Sequence, residues 1–132
     1  MFELTIIVCL DDKNGIAFNK RRQSRDKLLI ENVMTHENVY IMEHSAALFA
    51  DYNVSKIANI SELPADAVYF HEITDPKNII DMFDTVIIYR WNRHYPSDIK
   101  FNLQTNLYEK ILTEEFVGFS HDTITKEIYI KK

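Results

Sequence analysis

Residues 4–10, with the sequence LTIIVCL, form an uninterrupted apolar run rich in β-branched side chains. A half-exposed strand would alternate apolar and polar residues, so this run predicts a strand buried on both faces, as in parallel sheets. Comparable short runs recur at residues 39–42, 67–71 and 85–90, and amphipathic helical patterns separate them. Strands that alternate with helices predict parallel β-α-β units.

The sequence therefore predicts an α/β protein with a mixed, mostly parallel central β-sheet flanked by helices, and with antiparallel strands at its C-terminal end. We expect one domain over residues 1–132, since no linker or repeat interrupts the chain. The principal strands are predicted near residues 3–10, 39–42, 67–71, 85–90 and 123–130, with further strand-like runs at 55–60 and 116–119. The helices are predicted near residues 25–35, 44–51 and 76–83.

Charge and cysteine content narrow the functional classes. Fifteen Lys and Arg residues stand against 20 Asp and Glu residues, so the net charge of −5 disfavours a globally basic nucleic-acid-binding protein but leaves local basic patches open. Cys9 is the single cysteine, which excludes an intramolecular disulfide and fits a reducing cytoplasm. No apolar run approaches a membrane span of about 20 residues, and residues 1–4 lack the basic start of a signal peptide. We therefore expect a cytoplasmic protein without a membrane partner.

Two short segments concentrate cations. Residues 20–27 carry five Lys or Arg residues and one Asp, and residues 90–95 interleave Arg with Trp and Tyr. Such segments can bind phosphates, nucleic acid or an acidic protein surface, and the alternative is an ordinary solvated surface. The residues that we predict to bind a partner are Lys20, Arg21, Arg22, Arg25, Arg90, Trp91 and Arg93.

Other chemistry finds little support in the sequence. The five histidines show neither HxxxH nor HExxH spacing, so no metal site is expected. No Gly-x-Ser-x-Gly motif is present, and Cys9 lies inside an apolar run, so the sequence gives no support for nucleophilic catalysis.

The order of elements, with the motifs inside it, resembles dihydrofolate reductase over nearly the whole chain. The first strand runs into residues 11–16 (DDKNGI), which are similar to the family's Asn-Gly-Ile-Gly turn, and residues 83–88 (FDTVII) look like its Ala-Asp-x-Leu-Tyr-Leu strand. Asp26 stands at the head of the first helix, where the family places its essential carboxylate. The resemblance implies that Asp26 is a candidate catalytic acid. The alternative is an Asp that stabilises the first helical turn.

The chain departs from this family at its cofactor motifs. The Gly-Arg expected after the second strand is replaced by Glu43 and His44, and the Gly-Gly expected after the fourth strand is replaced by His71 and Glu72. Glycines there would let the backbone approach a dinucleotide, whereas carboxylates would repel its phosphates. The Thr that steadies the family's carboxylate aligns with Tyr89. We therefore expect no cofactor, with NADPH relevant only if the protein is a reductase.

Three hypotheses remain open at the level of sequence. The first is a dihydrofolate-reductase-like protein that does not work as a reductase and binds an acidic macromolecular partner, most simply a protein, through residues 20–27 and 90–95. The second is an active NADPH-dependent dihydrofolate or pterin reductase that uses Asp26. The third is a nucleic-acid-binding module built on the same basic segments.

Overall fold

The first strand occupies the middle of the main sheet, as its two-sided apolar character predicts. The computed structural model describes residues 4–132. β1 (Thr5–Leu10) pairs in parallel with β6 (Val68–Phe70) on one side and with β7 (Thr85–Arg90) on the other. Ile6, Val8 and Leu10 enter one core cluster, whereas Ile7 enters a second cluster on the opposite face. Alternate side chains of one strand therefore anchor both halves of the core.

The main sheet has seven strands in the order β5-β4-β6-β1-β7-β10-β9. β4 (Val39–Ile41) lies parallel between β6 and β5 (Ser55–Lys56). β10 (Ile124–Lys131) runs antiparallel to β7 and to β9 (Tyr108–Phe116), which forms one edge. This arrangement confirms the predicted mixed, mostly parallel sheet with antiparallel C-terminal strands.

A second, three-stranded sheet was not predicted. β2 (Gly15–Phe18) lies between β3 (Arg21–Arg22) and β8 (Ile99–Lys100). All three strands are short, and the two outer ones are two residues long, so they leave no periodic pattern in the sequence. The basic segment therefore begins inside a small sheet rather than in an open loop.

Two predicted helices and one predicted strand need correction. α1 (Lys27–Val33) lies within the first predicted helix, but the second is a 3₁₀ helix (Glu43–Phe49) and the third is a pair of 3₁₀ turns, Pro76–Asn78 and Ile80–Met82. Segments this short sustain few hydrogen bonds and tighten readily into 3₁₀ geometry. A further 3₁₀ turn spans Ile60–Glu62.

The strand expected at residues 116–119 is wrong, because β9 ends at Phe116. β9 itself carries charged side chains and is mostly exposed, so its sequence gave no buried or alternating pattern. Residues 117–123 form the β9–β10 loop, which carries the side chains that matter most below. No helix within residues 4–132 is both long and apolar enough to cross a membrane.

Candidate functional site

Asp26 is the N-cap of α1. Its backbone is extended, and its Oδ1 accepts hydrogen bonds from the amides of Leu28 at 2.9 Å and Leu29 at 3.3 Å. An acidic N-cap is favoured because the first turn of a helix leaves amides without internal partners. The local sequence therefore accounts for the position of Asp26 before any catalytic role is considered.

The β9–β10 loop closes over the same carboxylate. The amides of Phe119 and Ser120 donate to Asp26 Oδ1 and Oδ2, each at 2.9 Å, and His121 Nδ1 lies 2.9 Å from Oδ2. The loop can approach this closely because residue 118 is glycine: a Cβ on Gly118 would come within 2.7 Å of Asp26 Oδ2. With the Ser120 hydroxyl at 3.3 Å, six hydrogen bonds surround the carboxylate.

These donors hold Asp26 in its ionised form. Burial alone would raise the pKa of the Asp26 carboxyl, but hydrogen bonds from the Phe119 amide, the His121 ring and the Ser120 and Leu29 amides outweigh it and lower the pKa. A general acid needs a pKa near the working pH and a free path to its substrate. The lowered pKa of Asp26 does not meet the first requirement, although Asp26 does line an open cleft, so its catalytic role stays a prediction.

His121 connects Asp26 to a second layer of side chains. Its ring is 3% exposed and stacks on Trp91 with 4.7 Å between ring centroids. Its Nε2 lies 2.8 Å from the Tyr95 hydroxyl and 3.3 Å from the Ser24 hydroxyl. The result is a buried chain of polar groups that ends at a partly exposed serine.

Two spaces border Asp26. An open cleft of about 470 Å³ is lined by Asp26, Ile30, Leu48, Tyr52 and Phe119, and a smaller cavity lies on the side of Trp91. The cavity bounded by Asp26, Trp91 and Phe70 has a volume of about 20 Å³, which is room for roughly one water molecule and not for an aromatic ring system. Cys9 also lines it. Burial first, and the nearby Glu72 second, raise the pKa of the Cys9 thiol, so the thiol stays protonated at neutral pH.

A second buried carboxylate, Glu72, follows β6. Arg22 donates to both of its oxygens, from Nε at 2.7 Å and from Nη2 at 3.0 Å, and the Ser45 hydroxyl donates at 2.6 Å. The hydrogen bonds with Glu72 raise the pKa of Arg22. Glu43 is exposed and lies 3.2 Å from Lys56. The expectation that Glu43 and Glu72 would both repel a dinucleotide is therefore wrong for Glu72, whose charge Arg22 neutralises.

Lys20, Arg21 and Arg25 are exposed and line an open groove of about 590 Å³ with Arg22, Ser24, His44 and Ile73. No acidic residue within 4–132 lines this groove. Arg22 is committed to Glu72, whereas Lys20, Arg21 and Arg25 form no ion pair with any residue in 4–132. We refer to the surface of Lys20, Arg21 and Arg25 as the basic groove.

The segment at residues 90–95 divides between core and surface. Trp91 is 4% exposed, so its predicted role in a partner-binding surface is wrong: its ring serves as the stacking partner of His121. Arg90 is partly buried and donates to Glu127 at 2.8 Å and to Asn14 at 3.0 Å. Arg93 is exposed and donates to the Ser120 carbonyl at 3.1 Å. Only Arg93 keeps a charge at the surface near the basic groove.

Sequence reasoning missed His121 altogether. The Thr of the resembled family aligns with Tyr89, but the Tyr89 hydroxyl donates to Asn32 at 2.6 Å and does not contact Asp26. His121 lies 95 residues after Asp26 in a loop without a motif, so no local signal could have joined them. Residues 4–132 hold no group of three or more His, Cys, Asp or Glu side chains placed to bind a metal ion.

Comparisons with known proteins identify the fold of the chain but not its function. No family model matches the chain, and no curated protein matches it. A solved dihydrofolate reductase from Enterococcus faecalis, complexed with NADP(H) and RAB-propyl, superposes with a TM-score of 0.72 at 13% sequence identity, covering 98% of this chain and 96% of that one. The chain has a dihydrofolate-reductase-like fold, which confirms the resemblance first noted in the sequence.

Proposed function

We propose that this protein does not work as a reductase and binds an acidic partner protein through the basic groove. The observation that carries the proposal is an open groove whose lining includes unpaired cations and, among the described residues, no carboxylate. A fold does not fix a function, and surface sites change more readily than the core that supports them. Arg21 and Arg25 are the residues that we expect to contribute most.

The basic groove is opposite in sign to the net charge of the whole chain. The protein carries a net charge of −5, yet Lys20, Arg21 and Arg25 gather on one surface. Repulsion among like charges is tolerated where a partner of opposite charge compensates it, and such patches steer association. The net charge of −5 confines attraction to this patch, so an extended run of phosphates gains less from it than an acidic protein surface of the patch's own size.

The groove also contains backbone strain. Ile73 lines it and has a φ of 80°, a conformation that is unfavourable for a β-branched residue. Such strain costs on the order of 1–3 kcal/mol and collects at functional sites. Ile73 follows Glu72 directly, so the Arg22–Glu72 ion pair holds this strained residue against the base of the groove.

The test uses the double variant Arg21→Glu, Arg25→Glu and a matched double control, Lys77→Glu, Lys132→Glu, at two exposed lysines that do not line the basic groove and form no ion pair within residues 4–132. Tagged proteins capture partners from source-cell lysate, and any protein enriched by the wild type is purified and titrated by calorimetry. We expect the double variant to weaken the measured affinity at least tenfold, the control to match wild type, and all three to melt alike.

An equal affinity for the double variant and the wild type would contradict the proposal. Binding that the double variant loses, but that a mixed oligonucleotide displaces with a steep salt dependence, would instead favour the nucleic-acid module.

The competing hypothesis is an NADPH-dependent dihydrofolate or pterin reductase, supported by the fold, by the turn at residues 14–16 and by Asp26, which lines an open cleft. Its backbone requirement is not met: Gly15 and Gly118 are the only glycines, and neither follows β4 or β6. We expect the dissociation constant for NADPH to be no better than about millimolar, which is roughly 4 kcal/mol of binding at the standard state. Micromolar binding of NADPH by calorimetry would restore the reductase hypothesis. The cytoplasmic location of the protein stays a prediction from its sequence.

A further inference from the structure

Ser24, His121 and Asp26 stand in the order of a nucleophile, a base and the carboxylate that orients the base. Ser24 Oγ lies 3.3 Å from His121 Nε2, and His121 Nδ1 lies 2.9 Å from Asp26 Oδ2. The Ser24–His121 distance is slightly longer than an ideal hydrogen bond, as is common when no substrate is bound. We propose that these three residues form an acyl-transfer site that opens into the basic groove and hydrolyses an anionic carboxylic ester.

The hydrogen bonds around Asp26 fix the tautomer of His121. Every other group near the carboxylate is a donor: the amides of Leu28, Leu29, Phe119 and Ser120, and the Ser120 hydroxyl. Asp26 is ionised and accepts, so His121 must donate from Nδ1. A neutral imidazole then carries its lone pair on Nε2, which faces the Ser24 hydroxyl. That is the orientation in which a histidine removes a proton from a serine.

The surroundings keep this geometry rigid. Trp91 stacks on the His121 ring, and Gly118 allows the β9–β10 loop to place its amides on Asp26. The side chains of His121 and Asp26 are 1% and 0% exposed, so water does not compete for the bond between them. Ser24 is partly exposed and lies on the wall of the basic groove. A substrate therefore meets the serine first, with the base behind it.

The Tyr95 hydroxyl lowers the reactivity of Ser24 in the resting site. The Tyr95 hydroxyl lies 2.8 Å from His121 Nε2, closer than Ser24, and 3.3 Å from Ser24 Oγ. It competes with Ser24 for the lone pair of the imidazole. Removal of this hydroxyl should therefore raise the reactivity of Ser24, whereas a purely structural network would gain nothing from its loss.

The reaction needs no oxidant or cofactor. Ser24 Oγ bonds to the ester carbonyl carbon while its proton passes to His121 Nε2. The bond from that carbon to the leaving alkoxide then breaks, and the alkoxide takes the proton from Nε2. Water next attacks the acyl group on Ser24, gives a proton to Nε2, and releases the acid as Ser24 recovers its proton. The products are a carboxylic acid and an alcohol.

The basic groove defines the substrate class. Lys20, Arg21 and Arg25 line the groove beside Ser24 and attract a negative group on the ester. A groove of about 590 Å³ has the size of a small-molecule site. This inference goes beyond the proposed partner binding and does not require it, although the two share one surface.

The test uses a fluorophosphonate probe on the full chain, with the modified residue located by peptide mass spectrometry. We expect the probe to label Ser24. The total labelling of the chain should fall at least tenfold in Ser24→Ala and should be unchanged in Ser55→Ala, which alters an exposed serine on strand β5. We expect Tyr95→Phe to be labelled faster than wild type. Circular dichroism and melting curves confirm that each variant is folded.

A second measurement uses two esters, 4-nitrophenyl acetate and the anionic 4-nitrophenyl hydrogen succinate. Arg21→Glu with Arg25→Glu should raise KM for the succinate ester at least fivefold more than it raises KM for the acetate. A folded wild type that the probe does not label at Ser24, or hydrolysis that persists in Ser24→Ala, would overturn the inference. Neither result bears on partner capture, so the proposed function would stand or fall separately.

Discussion

Asp26 and Glu72 are two buried carboxylates near the same end of the central sheet, and the chain neutralises them in different ways. Asp26 accepts hydrogen bonds mainly from backbone amides and from His121, which the β9–β10 loop delivers from far along the sequence. Glu72 accepts a two-point ion pair from Arg22 in the basic segment. The cavity that both carboxylates line is only about 20 Å³, whereas Asp26 also lines an open cleft of about 470 Å³.

The difference shows what each carboxylate does. The contacts of Asp26 orient a histidine and hold the β9–β10 loop against α1, whereas those of Glu72 hold the basic groove against the sheet. The fold itself holds the backbone amides around Asp26 in place. The Arg22–Glu72 ion pair instead depends on the Arg22 side chain, which is 26% exposed. We therefore expect the Asp26 region to be the more costly to disturb.

Asp26→Ala should have the largest effect. It removes six hydrogen bonds and takes the carboxylate acceptor from four backbone amides, while His121 Nδ1 keeps only the Ser120 hydroxyl at 3.2 Å, so we expect a loss of about 3–5 kcal/mol of unfolding free energy. Asp75→Ala is the matched control, because Asp75 caps a 3₁₀ turn through one amide bond, and it should lose only about 1 kcal/mol. Urea titrations measure both. Equal losses of unfolding free energy in the two variants would contradict the expectation that the Asp26 region is the more costly to disturb.

The pH dependence of stability tests the ionised state of Asp26. Its pKa is lowered in the folded protein, so its contribution is complete above its unfolded pKa of roughly 4 and is lost as the pH falls below that value. Wild type should lose stability between about pH 5 and pH 2, and Asp26→Asn should start less stable at pH 7 but lose less over that range. Parallel curves for the two proteins would contradict the assignment.

Arg22→Ala tests the other carboxylate. Glu72 would keep the Ser45 hydroxyl but lose both guanidinium bonds, and we expect a loss of about 2 kcal/mol. The double variant Arg22→Ala, Glu72→Ala should be closer to wild type than the two single losses added together, since no charge is left unpaired. Additive losses in this thermodynamic cycle would show that the ion pair contributes little.

Charge reversal in the basic groove should have the smallest effect on stability. Lys20, Arg21 and Arg25 are exposed and make no ion pair with the described residues, so Arg21→Glu should change the unfolding free energy by less than about 0.5 kcal/mol. Thermal melts in low and high salt measure this. A large loss would mean that the groove supports the fold and is not reserved for a partner.

The sequence by itself determined the framework. Apolar runs such as residues 4–10 have to be covered on both faces, and that requirement alone predicted the central parallel strands and the α/β class. The resemblance to dihydrofolate reductase also put Asp26 at the head of the first helix, where it is the N-cap of α1. The sequence did not predict the two-residue strand β3 or the polar edge strand β9, because neither carries a periodic apolar pattern.

Only the tertiary structure decided what surrounds each charge. The sequence joined Arg21, Arg22 and Arg25 in one cluster, but folding paired Arg22 with Glu72 and left the other two exposed. It also buried Trp91, which the sequence had assigned to the surface. These outcomes depend on pairs separated by 50 residues for Arg22 with Glu72 and by 95 for Asp26 with His121. Periodicity and capping are short-range signals, whereas burial and hydrogen bonding depend on which distant segments the sheet brings together.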